Sequence, residues 1–412
     1  MRSSFLCVLV MGVGVAAADD SPQFLGVNRN GVSAETGLQA AFAEDGPKEL
    51  WRTPLGGSLA GLAVVDDVAF TLYQDGKQQY VVALGMKDGE KLWQTAVAAN
   101  YENPMGNGPR ATPTVADGVV YAFTGEGVLA ALQAKSGKLL WSVDTVKTLG
   151  TAVADYGMAS SPLVTAWGVV VQVGSANGCV CCFDRKTGEK VWAAGDELAG
   201  YSSPIAATLA GVDQIVAATG AEVLSVDPTS GEVLWSYPFV TEYNCNTASP
   251  VVLGDDRVLI SAGENHGSVV LKVSAKGGQL SVTEAWSSLG RSSVLRAEWQ
   301  TPVLLDGTLY GFDNIGSAGP ITNLVAVDAK TGEQLWIEKR FGKGNLLLVD
   351  GRLYITTMKG ELIVGTISPE GFTETGRSIV TGMTRQAPVI SSGRLLMRDE
   401  AEVVCVDVRA TP

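Results

Sequence analysis

Seven tryptophans of this chain fall in phase. Trp51, Trp93, Trp141, Trp192, Trp235, Trp286 and Trp336 follow one another at intervals of 42, 48, 51, 43, 51 and 50 residues, a beat that points to a fold built from repeated supersecondary units. Trp167 and Trp299 fall off it. Five of the in-phase rings are preceded by recurring text: VALGMKDGEKLW, AALQAKSGKLLW, CCFDRKTGEKVW, LSVDPTSGEVLW and VAVDAKTGEQLW, with Gly89, Gly137, Gly188, Gly231 and Gly332 four residues ahead of the ring. The text reads as a hairpin. One strand ends at a small residue and, in three copies, an Asp (Asp184, Asp227, Asp328) whose carboxylate can accept from backbone N–H groups of the turn. Gly takes the positive φ of the turn, and the next strand opens with Trp, whose ring is expected to lock neighbouring sheets together. The copy before Trp286 is looser, with Gly278 eight residues ahead of it.

A second element recurs roughly twenty residues after each Trp: a small or polar residue, Pro, an apolar pair, a turn and another apolar strand. TPTVADGVVYAF, SPLVTAWGVVVQV, SPVVLGDDRVLIS, TPVLLDGTLYGF and APVISSGRLLM are clear copies, and weaker ones begin at Leu62, Pro204 and Leu346. Their period-two alternation marks half-buried strands. Eight starts against seven ring-bearing turns is the count expected if the circle closes on itself. The ending GRLLMRD and EVVCVDV supplies inner strands of a last unit, and KELWRTPL near the start adds its outer strand, so that Trp51 serves it and no sheet edge stays open. The expectation is an all-β fold, an eight-bladed β-propeller of four-stranded antiparallel blades, closed by an N-terminal strand. The unit from Leu346 to Thr375 has no Trp and is expected to be the least regular. Solenoid rungs are much shorter than this period, and two packed sandwiches would not keep one Trp phase.

Composition agrees with a single long β unit: 46% hydrophobic and 18% charged, with 49 Gly against 16 Pro. The formal net charge of −13 repels phosphate backbones and anionic lipid heads, so nucleic acid is not an expected partner. Arg2, the apolar run from Phe5 to Val15 and Ala16-Ala17-Ala18 have the layout of a cleaved secretory signal. The run is too short to span a bilayer, and no lipobox surrounds Cys7. The division expected is a signal peptide over 1–18, an N-terminal arm over 19–47 and the propeller over 48–412. The chain is thus expected to be exported to the periplasm or beyond, and not to be a lipoprotein.

The A-x-D-x-x-T-G-x-x-x-W repeat, running from about Glu49 to Val408, resembles that of the pyrroloquinoline-quinone (PQQ) β-propellers. That family includes quinoprotein alcohol dehydrogenases and the outer-membrane assembly scaffold BamB. The segments SPQFLGVNRNGVSAETGL, NGPRATPTV and VVCVDVRA are similar to a BamB-like subgroup. The resemblance is specific for fold and weak for function, because one propeller hosts many roles.

Quinone catalysis needs a cation on the quinone oxygens and a carboxylate base. No Glu, Asn and Asp set matching the family's calcium motifs stands out: Glu264-Asn265 and Asp313-Asn314 have the right types but read as loop polars. Cys181-Cys182 is similar to the vicinal disulfide beside the cofactor in some quinoproteins. In this repeat, however, Cys182 fills the small-residue slot of Ala83, Ala131 and Ala326, as Cys405 does in the last unit, and small buried thiols are the favoured reading. His266 is the only histidine, which leaves neither a His/Cys zinc set nor a Ser-His-Asp triad, and it reads as a turn residue. No metal site and no catalytic residue are therefore assigned.

In a propeller the loops from each outer strand to the next inner strand gather at one mouth. Here they are polar and aromatic: NYENPMGNGPRAT, ADYGMASS, GYSS, TEYNCNTAS, LRAEWQT and MTRQA. They place Arg110, Tyr156, Tyr201, Asn244, Asn246, Arg296, Trp299, Gln300 and Arg385 as candidates for a shared binding basin, with off-phase Trp299 foremost. The function expected is a non-catalytic, monomeric, BamB-like binding or scaffold propeller that presents these loops to a protein, envelope proteins among the candidates, or to a small ligand, with no cofactor. The alternative is an oxidoreductase with a reduced site, using PQQ with calcium.

Overall fold

A computed structural model describes residues 20–43, 45–316, 321–368 and 370–410; the expected leader over 1–18 lies outside them. The strands form eight antiparallel sheets in a ring. In chain order, blade 1 spans residues 63–99, blade 2 114–144, blade 3 163–194, blade 4 205–238, blade 5 251–289, blade 6 303–338 and blade 7 344–379. Blade 8 combines residues 389–407 with Lys48–Pro54 as its outer strand, in the order that closes the ring. The first strands of blades 8, 1, 2 and 3 touch in turn, as do those of blades 6 and 7.

The apolar core is divided into eight clusters, one at each seam between adjacent blades. The tryptophans sit at these seams. The indole N–H of Trp51, Trp93, Trp141, Trp192, Trp286 and Trp336 donates to a backbone carbonyl of the next blade, at Met86, Ala134, Arg185, Pro228, Ala329 and Ser368, over 2.8–3.1 Å. The turn glycine of the next blade lies under the ring: a Cβ on Gly188 would come within 2.7 Å of Trp141 Cε3. Glycine is thus required twice, for its φ of 75° and for the approach of the ring.

Two seams depart from this rule. Trp235 donates to Gln214 Oε1 in its own blade at 2.6 Å. Blade 5 lacks the repeated turn, and its long hairpin of Gly267–Lys276 and Gln279–Leu289 carries the connection away from the ring. In blade 7, Gly376 pairs with Val364 just before the strand irregularity, the register held by Trp336 opposite Ala326 in blade 6. There the aromatic ring comes from the N-terminal arm. A Cβ on Gly376 would meet Phe42 N at 2.6 Å, and Phe42 packs on Tyr354, with ring centroids 6.5 Å apart, in the seam between blades 7 and 8.

The arm does more than fill that seam. Ser21 bridges to Val64 of blade 1, Pro22 O accepts from Val115 N of blade 2, and Arg29 donates to Ser161 O and Pro162 O at the start of blade 3. Val32–Ser33 then pairs in parallel with the first strand of blade 7, making it five-stranded. The arm therefore crosses the central channel. Arg29 is fully enclosed there, and burial lowers its pKa to about 9.

The Ser/Thr-Pro element has its own physical reason. The N–H of Thr112 donates to Ser161 Oγ, Ser161 N to Ser203 Oγ, Ser203 N to Ser249 Oγ and Ser249 N to Thr301 Oγ1, each over 2.9–3.0 Å. A belt of hydroxyls thus ties blades 2 to 6 around the axis and satisfies backbone donors that the following proline keeps out of regular pairing. The free thiols of Cys181 and Cys182 point to opposite faces of blade 3, into the seams with blades 2 and 4. Cys182 stands opposite Trp192 and Cys405 opposite Trp51, as Ala83 stands opposite Trp93.

Candidate functional site

The inter-blade loops surround a cup of about 400 Å³ at one mouth of the channel. Phe24 of the arm lines it, as do belt residues Thr112, Ser161 and Ser203. Because the arm crosses the channel, the cup is blind. Its volume lies within the range of small-ligand pockets.

Five of the nine sequence candidates line the cup: Arg110, Tyr156, Tyr201, Trp299 and Arg385. Arg110 lies 4.9 Å from the Tyr101 ring and donates to Tyr156 O, Gly108 O and Gly106 O, so it pins two loops together. Burial lowers its pKa. The rings of Tyr156 and Tyr201 are 5.4 Å apart, and the Tyr201 hydroxyl accepts from Tyr156 N at 3.2 Å. Burial raises the Tyr201 pKa, which keeps its proton on the oxygen.

Trp299 is held with φ at 60°, a left-handed conformation that costs a bulky residue about 1–3 kcal/mol. Its N–H donates to Thr247 Oγ1 at 3.1 Å. Two cations stand over the ring, Lys343 Nζ at 4.1 Å and Arg385 Cζ at 5.0 Å from its centroid. Arg385 also reaches Met105 O at 2.8 Å, joining the loop before blade 8 to the loop before blade 2. Tyr243, Asn244, Glu264 and Asn265 share the left-handed backbone of Trp299.

The other four candidates lie outside the lining, and their hydrogen bonds show what they do. Arg296 is buried in a two-bond pair with Asp313, at 2.6 and 2.7 Å. Asn246 donates to Thr219 O and Phe239 O. Gln300 accepts from Phe312 N and donates to Thr301 O. Asn244 lies in the short helical turn Glu242–Asn244, its N–H donating to Thr241 O. These side chains and turns hold the loops in shape.

Residues outside the nine binding candidates also line the cup, among them Phe24, Tyr243, Cys245, Glu298 and Glu264, which the sequence had offered only as a loop polar. Glu298 and Cys245 sit inside the LRAEWQT and TEYNCNTAS segments, so the signal was at hand. Phe24 had none, because only the path of the arm brings it there. Glu298 Oε1 is 2.8 Å from Lys343 Nζ, while its buried Oε2 has no hydrogen-bond partner. Burial raises the Glu298 pKa, with Lys343 opposing. Burial also pushes the Cys245 thiol up to about 11, so it is no thiolate nucleophile near neutrality. His266 is a turn residue set edge-on against Phe239 at 4.5 Å.

A quinone-bound calcium takes six to eight oxygen ligands. The carboxylates lining the cup are Glu264 and Glu298, the latter tied to Lys343, and no group of three or more His, Cys, Asp or Glu suited to a metal occurs among the described residues. Asp313 is committed to Arg296. This donor set does not fit a calcium-held quinone.

Eight wedge-packed blades, a Trp-over-Gly clamp at most seams and a polar cup at the mouth define a PQQ-like repeat propeller. The chain belongs to the family described as outer membrane protein assembly factor BamB, whose profile matches residues 35–154 and 77–338. It is 26% identical over 319 residues to outer membrane protein assembly factor BamB of Yersinia pestis, a match covering 75% of this chain and 76% of that one. Among solved structures, quinohemoprotein alcohol dehydrogenase from Comamonas testosteroni superposes with a TM-score of 0.69 at 14% identity, covering 97% of this chain and 82% of that one. BamB from Moraxella catarrhalis does so at 0.59 and 16%, covering 88% and 98%. At such identities these two likenesses speak for the fold. No helix among the described residues is long and apolar enough to cross a membrane.

Proposed function

We propose that this protein is a non-catalytic binding or scaffold propeller that works outside the cytoplasm and presents its channel-mouth cup to an envelope protein. The single observation that carries the reading is the Trp299 site. A bulky residue in a strained left-handed backbone, stacked under two cations at a solvent-open cup, contributes nothing to the blade clamps and is the kind of feature held at binding sites. Membership in the BamB family supports a scaffold role, and the leader-like text over 1–18 supports export. The quinone alternative has the repeat and the likeness to quinoprotein alcohol dehydrogenases behind it, and the cup's donors argue against it.

The test is capture of envelope proteins on immobilised protein, comparing wild type with Trp299→Ala and Tyr243→Ser. Loss of specific partners from both variants, with melting temperatures held, is expected; equal capture by all three proteins would remove the cup from the function. Incubation with micromolar PQQ and calcium provides the second check, since a bound chromophore with dye-linked alcohol oxidation would reinstate the enzyme reading.

A further inference from the structure

The fold uses only half of what the cup's polar groups can do. Four hydroxyls of its lining accept from backbone N–H groups: Ser161 from Thr112, Ser203 from Ser161, Tyr201 from Tyr156 and Thr247 from Trp299. Each oxygen is thereby fixed in place, yet none of the four hydroxyl protons has an acceptor among the described residues. The Tyr156 hydroxyl bonds to no described residue at all. Gln386 donates its amide N–H to Leu59 O, and its amide oxygen receives no donor. Tyr156, Tyr201, Thr247 and Gln386 are partly exposed, so an incoming molecule can reach them. A hydroxyl that already accepts still has its proton to give, so the cup offers donors of fixed position beside an open acceptor.

Charge in the cup is close to balance. Arg110, Arg385 and Lys343 stand against Glu264 and Glu298, and two further carboxylates act on the same wall: Asp155, behind burial, on Tyr156, Tyr201 and Cys245, and Glu242 on Tyr243. Lys343 is taken by Glu298, and Arg110 has its donors on three carbonyls. An anion entering here meets carboxylates and a cation meets guanidinium groups, so neither recovers the cost of leaving water. The lining also includes the rings of Phe24, Tyr156 and Tyr243, while the Trp299 ring already has Lys343 and Arg385 over it. The molecule that answers these features is uncharged, carries several oxygens that both accept and donate, and has an apolar face. Ring sugars combine the three.

We propose that the cup is a binding site for a neutral saccharide of one or two rings, whose oxygens accept from the hydroxyls of Tyr156, Tyr201 and Thr247, whose own hydroxyls donate to Gln386 Oε1, and whose C–H face lies against the aromatic wall. The volume of about 400 Å³ suits a ligand of that size. Hydroxyls already held by backbone N–H groups lose little freedom when the sugar arrives, which favours binding. The inference goes beyond the docking reading and is independent of it, since it concerns what fills the cup and not which protein covers the mouth.

The probes are glucose and maltose, with glucuronate, glucosamine and sorbitol as the anionic, cationic and ringless counterparts of glucose, each titrated calorimetrically into the full-length protein. Glucose or maltose is expected to bind saturably at millimolar concentration or below, and the three counterparts are expected to bind several-fold more weakly than glucose. Tyr156→Phe removes a hydroxyl that the fold does not use, so it should leave the melting temperature unchanged and weaken the better sugar about two- to tenfold. Thr247→Val should weaken it too and Thr247→Ser should restore it, whereas Tyr237→Phe, which loses a hydroxyl bonded to Glu284 on the outer strands, should bind as wild type does. Absence of saturable binding by both neutral sugars, a charged counterpart that binds as tightly as glucose, or an affinity that ignores both Tyr156→Phe and Thr247→Val would overturn the inference. If the sugars fail while envelope-protein capture still depends on Trp299, the saccharide site falls and the docking reading stands.

Discussion

Gly188→Ala tests the clamp that holds the ring of blades together. The residue has φ of 75°, and a Cβ there would lie 2.7 Å from Trp141 Cε3 and 2.9 Å from Cδ2. Carbon atoms rest about 3.5–4.0 Å apart, so the indole must withdraw by most of an ångström, and its 3.0 Å bond to Arg185 O lengthens with it. The backbone term for alanine in the left-handed region is about 1 kcal/mol, overpacking adds about 1–3 kcal/mol, and the weakened indole bond about 1 kcal/mol. The expected loss is about 3–5 kcal/mol. Gly118 is the control: its φ is 73° and nothing lies within 4 Å of an added Cβ, so Gly118→Ala carries only the backbone term. Urea titrations of the two variants should differ by about 2–4 kcal/mol, and in a Trp141→Ala background the cost of Gly188→Ala should fall to that of Gly118→Ala. Equal shifts for the two glycines, or a Gly188→Ala cost that ignores the absence of the ring, would refute the clamp.

Phe42→Ala should cost about 2 kcal/mol, roughly half of a fully buried phenylalanine because the ring is half-buried, and should expose the arm to limited proteolysis before the blades. Ser203→Ala removes the acceptor of Ser161 N from the belt and should cost about 1–3 kcal/mol by denaturant titration, since that buried donor is left unmet. Asp184 and Asp227 are held below their ordinary value of 3.8 by backbone donors, first those of Thr187 and Ser230 respectively. A depressed carboxyl contributes stability above 3.8 and loses it as pH falls through the lower folded value, so the stability gap between wild type and Asp184→Asn should be widest near neutrality and close on acidification; a gap independent of pH would contradict this.

The blades were legible because each demand that the fold makes is local. A turn of one geometry and one ring per unit leave the same residues at the same spacing, and the strand beginning at KELWRTPL could be given to the last blade by counting alone. The belt was half legible. Ser-Pro and Thr-Pro were visible as a recurring start, but the bond from each N–H to the next hydroxyl joins residues 42–52 positions apart, which spacing does not reveal. The mouth was legible only as a set of segments. Within LRAEWQT, three consecutive residues divide two against one: Glu298 and Trp299 to the cup, Gln300 to the backbone at Phe312. A left-handed residue in the middle breaks the alternation from which sidedness is read.

The least regular parts of the chain share a cause. Blade 7 has Gly376 where its neighbours carry an indole, and this vacancy is where Phe42 docks. Had blade 7 kept its own tryptophan, Phe42 would have no seat in that seam. The Phe24 end of the arm is held separately, by Ser21 on Val64, Pro22 on Val115, Arg29 on Ser161 and Pro162, and Val32–Ser33 on blade 7. In the seam between blades 7 and 8 a repeat gave up its clamp and the N-terminal segment supplied one from outside. Whether the two ends of the arm are coupled is a question of measurement: if they are, loosening Phe42 lowers affinity at the mouth even though Phe42 lies in a seam and is no part of the cup's lining. Binding of any cup ligand to Phe42→Ala, measured beside its proteolytic sensitivity, decides the matter, and full affinity in a variant whose arm is cleaved would show the floor to be dispensable.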